Sequence, residues 1–122
     1  MIAGTYCGTL TVPRLVFLGF VPPEFPGIKV RALYLVAGRT VLKSPNDYWS
    51  LKVGLWNGGS FETAQELALS DGLETRGKRL AFAVPISVAR GGVLALQTSF
   101  RGKPAPVEDL SVALEYGILG QR

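Results

Sequence analysis

The stretch Tyr48–Trp56 constrains the fold of this chain more than any other, because every second residue from Trp49 to Leu55 is a large apolar one. Its inward candidates are Trp49, Leu51, Val53 and Leu55. Alternation with a period of two predicts a β-strand with one buried face. The glycines of the following Asn57-Gly58-Gly59 tolerate a positive φ, so this segment predicts a hairpin turn. We therefore expect a strand near the centre of a sheet.

The composition predicts one domain with surplus hydrophobicity. Across 122 residues, hydrophobic residues make up 48%, charged residues 18%, and the mean hydropathy is +0.27. Globular domains average about 25% charged residues, so either some apolar surface meets a partner or the core is unusually full. Pro22, Pro23 and Pro26 end the longest apolar run, which predicts no membrane span. The first residues lack the basic and hydrophobic regions of a secretory signal.

The residue types needed for common catalysis are scarce. The chain has no histidine, which removes the commonest general base and metal ligand. Its one cysteine, Cys7, predicts a small buried hydrophobe rather than a reactive thiol. The neighbouring acids Glu108 and Asp109 are candidates for an acid/base pair, but solvated loop charges fit them better because adjacent residues usually point apart. We expect no enzyme activity, no metal and no cofactor.

The positive charge is mild and spread along the chain. The formal net charge is +4, and the one cluster is Arg76-Gly77-Lys78-Arg79. A nucleic-acid protein more often concentrates such charge on one face with aromatics between. This cluster is therefore predicted to be a solvated turn rather than a phosphate-binding patch, and no specific nucleic acid is expected as a partner.

Two apolar segments predict a protein interface. The run from Leu15 to Val21 does not alternate, which indicates that both of its faces are covered. Residues 28–37 place Ile28 and Val30 on one face, yet their second half is apolar on both. Residues 1–27 are also candidates for an extended N-terminal arm. The predicted partner interface comprises Leu15, Val16, Phe17, Leu18, Phe20, Val21, Phe25, Leu33 and Leu35.

The rest of the chain repeats strand patterns at a spacing of roughly ten residues. Residues 60–70 fit both a helix and a strand, and the short gap between glycine turns favours a strand. Pro85 inside the next pattern predicts an interrupted, bulged or edge strand. Arg90-Gly91-Gly92 is interpreted as a hairpin turn. About eight strands in one domain predict an all-β fold, an antiparallel β-sandwich resembling a jelly roll.

The C-terminal half has a distinctive strand spacing, turn placement and Pro-Ala-Pro loop. These features lie in Leu80-Ala81-Phe82-Ala83-Val84-Pro85, Val88 to Leu96, Gly102-Lys103-Pro104-Ala105-Pro106 and Leu110 to Gly117. In them the chain resembles the closing strands of small jelly-roll proteins from tailed-phage virions, which include capsid decoration, or cement, proteins and tail or fibre accessory domains. The resemblance implies arms that reach neighbouring subunits.

We therefore predict a non-enzymatic virion structural protein, either a capsid decoration protein or a tail accessory protein. It would be assembled in the host cytoplasm, form a homo-oligomer such as a trimer, and bind capsid or tail lattice proteins. An alternative is a receptor- or glycan-binding module. Parity places Trp56 opposite the core face at the hairpin, where Tyr48, Trp56 and Asn57 are candidate ligand contacts.

Overall fold

The computed structural model describes residues 2–119, with side chains from residue 4 onward. Eight β-strands and a single 3-10 turn, Leu69–Asp71, make up its regular structure. The strands are β1 (Ile2–Leu10), β2 (Leu15–Phe20), β3 (Gly27–Val36), β4 (Tyr48–Trp56), β5 (Phe61–Ala68), β6 (Lys78–Ala89), β7 (Val93–Arg101) and β8 (Val107–Ile118).

The strands form two four-stranded antiparallel sheets packed as a β-sandwich. One sheet has the order β1-β8-β3-β6 and the other the order β2-β7-β4-β5. Successive strands change sheet at every connection except β4 to β5, which is the strand order of an eight-stranded jelly roll. The predicted fold class is confirmed. Within the described residues, no helix is long and apolar enough to cross a membrane.

Strand β4 lies inside its sheet, between β7 and β5. Its inward side chains Trp49, Leu51 and Val53 are buried, as the alternation predicts. Full burial of an aliphatic side chain such as Leu51 or Val53 contributes about 1.5–3 kcal/mol of transfer free energy. The hairpin to β5 is closed by the Asn57 N–H, which donates to the carbonyl of Ser60 at 2.9 Å. The ambiguous segment is thus a strand over Phe61–Ala68.

Strand β3 contains a bulge that reverses the side-chain pattern predicted for it. Its pairing with β8 shifts between Val30 and Ala32, so Arg31 is an extra residue relative to β8. One extra residue moves every later side chain to the opposite face. Leu33 and Leu35 consequently join Val30 in the core, each with no exposed surface. Their predicted place in a partner interface is corrected here, because they are already covered by the second sheet.

The segment Arg90-Gly91-Gly92 is not a hairpin turn. Strands β6 and β7 belong to different sheets, so this segment carries the chain across the sandwich. Gly91 N–H donates to the Val21 carbonyl at 3.0 Å, and Val21 N–H donates to the Gly92 carbonyl at 2.9 Å. These bonds tie the crossing to the chain just after β2. The hairpin prediction failed because glycine turns also serve connections between sheets.

The N-terminal third is part of the sandwich rather than an arm. β1 pairs with β8, and β2 pairs with β7. Met1, the first residue of the predicted arm, lies outside the described residues. The prediction of an arm is corrected because backbone hydrogen bonds and core packing hold both strands. Leu10 has no exposed surface, and Val21 is 2% exposed.

The interruption predicted at Pro85 is present in β6, an edge strand. Between the pairs Val30 with Ile86 and Ala32 with Ala81, β6 has four residues against one in β3. The looped-out residues are Phe82, Ala83, Val84 and Pro85. Proline has no N–H to donate to a sheet ladder, which explains why it sits at an edge and in an irregular segment.

Candidate functional site

The two adjacent acids near the start of β8 do not form an acid/base pair. They occupy a bulge, because β1 and β8 change register between the pairs Gly8 with Leu110 and Leu10 with Val107. Glu108 forms an ion pair of 2.9 Å with Arg39, whereas Asp109 has a φ of 49°. The two carboxylates therefore have different structural partners.

Asp109 instead accepts a hydrogen bond of 2.7 Å from the hydroxyl of Tyr6. That bond raises the pKa of Tyr6, and the negative charge of Asp109 adds to the effect. The bond joins residues on β1 and β8 that are 103 positions apart. This hydrogen bond therefore links two neighbouring strands.

Cys7 is buried and free, as the sequence predicts. Burial raises the pKa of its thiol, and the positive charge of Arg14 opposes that rise. A thiol with a raised pKa is a poor nucleophile, because the thiolate is the reactive form. Among the described residues, no group of three cysteines and acids is placed to hold a metal ion.

The basic cluster that opens β6 is partly neutralised by acids. Arg76 pairs with Glu74 at 2.6 Å, and Arg79 pairs with Glu115 at 2.7 Å. Glu115 also accepts a hydrogen bond of 3.1 Å from the hydroxyl of Tyr34. The hydrogen bond from Arg79 is the main reason that the pKa of Glu115 is lowered. This arrangement fits solvated structural charges better than an anion site.

The structure does not bring the three candidate ligand residues together. Tyr48 begins β4 and Trp56 ends it, so their backbones are about 26 Å apart at the usual rise of a strand. Asn57 is exposed beside Trp56 in the hairpin turn. One sugar ring cannot contact both aromatic side chains, and the predicted combination of Tyr48 with Trp56 is corrected on this ground.

The predicted interface residues divide into three groups by burial. Val21 lies in the core together with the two leucines of β3. Leu15, Val16, Leu18 and Phe25 are half-buried. Phe17 and Phe20 point into solvent, with exposed fractions of 55% and 67%. Of the nine predicted side chains, these two phenylalanines are therefore the ones most available to a partner.

The register of the sheet collects further apolar side chains beside these phenylalanines. Phe20 pairs with Val93, Val93 with Trp56, and Trp56 with Phe61 across the four strands. Directly opposite residues of neighbouring strands share one face of a sheet. We call this set, together with Phe17 in the next row, the outer apolar patch: Phe17, Phe20, Trp56, Phe61 and Val93.

Small residues lie between the aromatic side chains of the patch and allow the rings to meet. Phe17 pairs with Ala95, and Ala95 pairs with Gly54. The rings of Phe17 and Trp56 therefore meet across these short side chains, edge to face with centroids 5.8 Å apart. Ala95 has no exposed surface although it lies on the outer face. The patch is thus a continuous apolar surface containing no charged residue.

Sequence reasoning missed Phe61 and Val93. Phe61 could have been found from the hairpin, because a turn after Trp56 places the first residue of the returning strand opposite it. Val93 could be found only by knowing that β7 lies between β2 and β4 in the sheet. That neighbour relationship joins residues far apart in the chain and has no local signal.

An apolar cavity of about 160 Å³ opens between the sheets at the same end of the sandwich. Its lining includes Leu18, Phe20, Val21, Phe25 and Tyr116. Phe20 belongs both to this lining and to the outer apolar patch. Apolar surface therefore continues from the outer face around the end of β2.

No protein-family model matches this chain, and no curated protein matches it. Among solved structures, the chain is similar to the structure of infectious bursal disease virus Gx strain, with a TM-score of 0.41 and 10% sequence identity. The similarity covers 99% of this chain and 32% of that chain, so this chain spans about a third of that protein's length. A TM-score of this size carries no inference about what this chain does. The resemblance of the C-terminal half to tailed-phage virion proteins stays a prediction.

Proposed function

We propose that this protein is a non-enzymatic structural component of a virion, a capsid decoration or tail accessory protein whose copies associate with one another. The observation that carries the proposal is the outer apolar patch. Its aromatic side chains lie on the outside of a sheet whose inner face already fills the core. Monomeric soluble proteins rarely expose large contiguous apolar patches, and patches of this kind often mark protein–protein interaction sites.

The physical work of the patch is to stabilise an assembly. Burying Phe17 and Phe20 removes apolar area from water, and each such side chain contributes about 1.5–3 kcal/mol when fully buried. Tryptophan and other aromatic residues are common among the few residues that dominate binding energy at interfaces. Binding between folded copies also raises the stability of each copy by mass action.

The remainder of the molecule fits this passive role. A jelly-roll strand order occurs in viral capsid domains. Three of the described acids form ion pairs with arginines, as Glu108 does with Arg39. The virion role, its decoration or tail position, and assembly in a host cytoplasm are parts of the same proposal. Capsid or tail lattice proteins are the expected further partners.

The first test is the mass of the protein in solution. Light scattering over a concentration series is expected to show an oligomer that dissociates on dilution. Replacing Phe17 and Phe20 by serine is expected to give a monomer with an unchanged circular dichroism spectrum. The control is Leu42→Ser, because Leu42 is 80% exposed in the loop between β3 and β4, away from the patch.

A second measurement examines order in the assembly. Electron microscopy of the concentrated protein is expected to show regular sheets, rings or particles rather than amorphous aggregate. A monomer at every concentration, with the serine variants behaving like the unchanged protein, would overturn the proposal. If Leu42→Ser reduced association as much as the replacement of Phe17 and Phe20 by serine, the choice of surface would be overturned.

A further inference from the structure

The sandwich has four edge strands, and they differ in how well their free backbone groups are protected. An unprotected edge presents N–H and C=O groups that pair readily with another strand. The edges are β1 and β6 in one sheet and β2 and β5 in the other. Comparison of these four strands singles out β2.

Strand β1 is irregular, and part of its edge is covered. Its pairing with β8 shifts register twice, on either side of Gly8, which has a φ of 77°. The guanidinium of Arg14 donates hydrogen bonds to the carbonyls of Cys7 and Thr9. A bulged edge with occupied carbonyls is a poor template for a new strand.

Strands β5 and β6 protect each other on the opposite side of the sandwich. The side-chain amide of Gln65 on β5 donates a hydrogen bond of 3.0 Å to the backbone carbonyl of Val84 on β6. β5 also exposes the charged residues Glu62 and Glu66. In β6 the looped segment that includes Pro85 breaks the regular edge.

Strand β2 has one bulge, after Phe17, but the described stretch before that bulge has none of these protections. Its sequence Leu15-Val-Phe-Leu-Gly-Phe20 contains neither a charge nor a proline. Its pairing with β7 is regular from Leu15 to Phe17, and the register shifts only after Phe17. The stretch from Leu15 to Phe17 therefore offers a short, regular and apolar edge.

The backbone of Phe17 faces this free edge. Thr98 N–H donates to the Arg14 carbonyl at 2.8 Å, which makes these opposite residues a hydrogen-bonded pair. Hydrogen-bonded and non-hydrogen-bonded pairs alternate along an antiparallel ladder. The pair of Val16 with Leu96 is then hydrogen-bonded, while the N–H and C=O of Phe17 point away from β7.

We propose that β2 pairs antiparallel with β2 of a second copy of this chain, about a two-fold axis at Phe17. The inference rests on the proposed function, since it names the geometry by which copies associate. The Phe17 residues of the two copies exchange N–H to C=O hydrogen bonds. The two sheets become one continuous eight-stranded sheet, and the two outer apolar patches meet across the axis.

A second copy is the occupant that the edge favours. Antiparallel pairing about Phe17 sets Val16 opposite Leu18 and Leu15 opposite Gly19 of the second copy, so no charged residue lies in these central pairs. Arg14 lies opposite Phe20 at each end of the pairing. Each copy carries a net charge of +4, and the uncharged strand lets two such copies approach there. Pro13 and Pro22 lie just beyond the two ends of β2, which limits pairing to an equally short strand.

The two-fold contact changes the expected number of copies. A ring of three copies would need β2 to pair with a different edge, because a cyclic contact joins unlike surfaces. Those other edges are the irregular or occupied ones described above. The expected assembly therefore contains an even number of copies, in place of the trimer predicted from the sequence.

Disulfide trapping tests the contact directly. The starting protein carries Cys7→Ala, so that the introduced thiol is the one cysteine of each chain. Opposite residues in a hydrogen-bonded antiparallel pair have Cα atoms about 5.5 Å apart, which is within the range of a disulfide. Phe17→Cys is expected to give a linked dimer under mild oxidation. Val84→Cys, an exposed position on the β6 edge, is the matched control and is expected to stay unlinked.

A backbone substitution separates the edge contact from the side-chain patch. Phe17→Ala removes the ring and keeps the N–H, whereas Phe17→Pro removes both. Because proline is tolerated where the N–H faces solvent, the monomer is expected to fold. Loss of two backbone hydrogen bonds is expected to raise the dissociation constant of Phe17→Pro about tenfold or more above that of Phe17→Ala.

The outcomes distinguish the two proposals. A protein that is monomeric at every concentration overturns both the proposed function and this pairing. An oligomer in which Phe17→Cys stays unlinked overturns the pairing alone. If Phe17→Pro fails to fold, the trapping result with Phe17→Cys still decides.

Discussion

The side chain of Gln65 reaches from one sheet to the other, with its Nε2 atom 3.0 Å from the carbonyl oxygen of Val84. The two residues lie on edge strands that share no ladder hydrogen bonds. This hydrogen bond joins the β5 and β6 edges of the two sheets, and it occurs in the irregular segment of β6 that contains Pro85.

Removal of this amide is expected to loosen the β5 and β6 edges. Gln65→Ala should lower the free energy of unfolding by about 0.5–1.5 kcal/mol, the usual net value of one hydrogen bond. Urea denaturation measures the change. Gln97→Ala is the control, because Gln97 is an exposed glutamine on β7. Equal losses in the two variants would contradict a specific role for Gln65.

The contact between Arg79 and Glu115 is expected to make the stability of the folded protein depend on pH in the acidic range. The hydrogen bond from Arg79 lowers the pKa of Glu115 in the folded protein. Glu115 is then ionised and stabilising above its unfolded pKa of about 4.3. That contribution is lost as the pH falls through the lower folded pKa.

The measurement is the midpoint of thermal unfolding as a function of pH. Glu115→Gln is expected to unfold at a lower temperature than the unchanged protein near neutral pH, and the two curves should converge in acid. Glu66→Gln, which changes an exposed acid on β5, should leave the curve nearly unchanged. Parallel curves for Glu115→Gln and the unchanged protein would refute the linkage.

The two tryptophans are expected to respond differently to replacement by phenylalanine. Trp49 is 2% exposed, and its indole N–H donates to the Ala105 carbonyl at 3.0 Å. Trp49→Phe should cost about 1–3 kcal/mol, because it leaves that carbonyl without its donor. Trp56→Phe should change the unfolding free energy of the monomer by less than about 0.5 kcal/mol, as expected of a surface substitution.

Denaturant titration below the concentration of association gives both values. Light scattering then shows whether Trp56→Ala, which truncates the outer apolar patch, weakens association. A larger loss of monomer stability for Trp56→Phe than for Trp49→Phe would reverse the assignment of core and surface.

Gly54 is expected to tolerate no larger side chain. A Cβ atom there would collide with the Glu62 carbonyl on β5, next to the register shift between these strands. Gly54→Ala should cost about 1–3 kcal/mol, as overpacking does. Gly4→Ala is the control because a Cβ at Gly4 meets nothing within 4 Å. Similar unfolding midpoints for the two variants would contradict this view of β4 and β5.

Local patterns predicted the elements in which pairing and alternation are uninterrupted. The alternation of β4 and the glycines after Trp56 located a central strand and its hairpin, since both signals lie within a dozen residues. Pro85 correctly indicated an irregular edge. These features depend on the properties of a strand and its nearest turn.

The errors come from features that a period of two cannot reveal. An extra residue at Arg31 reversed the faces of β3, so that Leu33 and Leu35 were assigned to an interface instead of the core. The turn at Gly91 was taken for a hairpin because its glycines are compatible with either kind of connection. Of the nine predicted interface residues, Phe17 and Phe20 are the ones strongly exposed, and their part in an interface stays a prediction.

The pairing of β1 with β8 also governs how the chain can fold. Tyr6 and Asp109 are 103 positions apart, so the first strand has no ladder partner until almost the whole chain has been synthesised. Domains dominated by such distant pairings typically fold in milliseconds to seconds rather than microseconds. During that interval the apolar strand Leu15–Phe20 also lacks its ladder partner, β7. Dilute conditions and slow synthesis should therefore favour a high yield of native protein over aggregate.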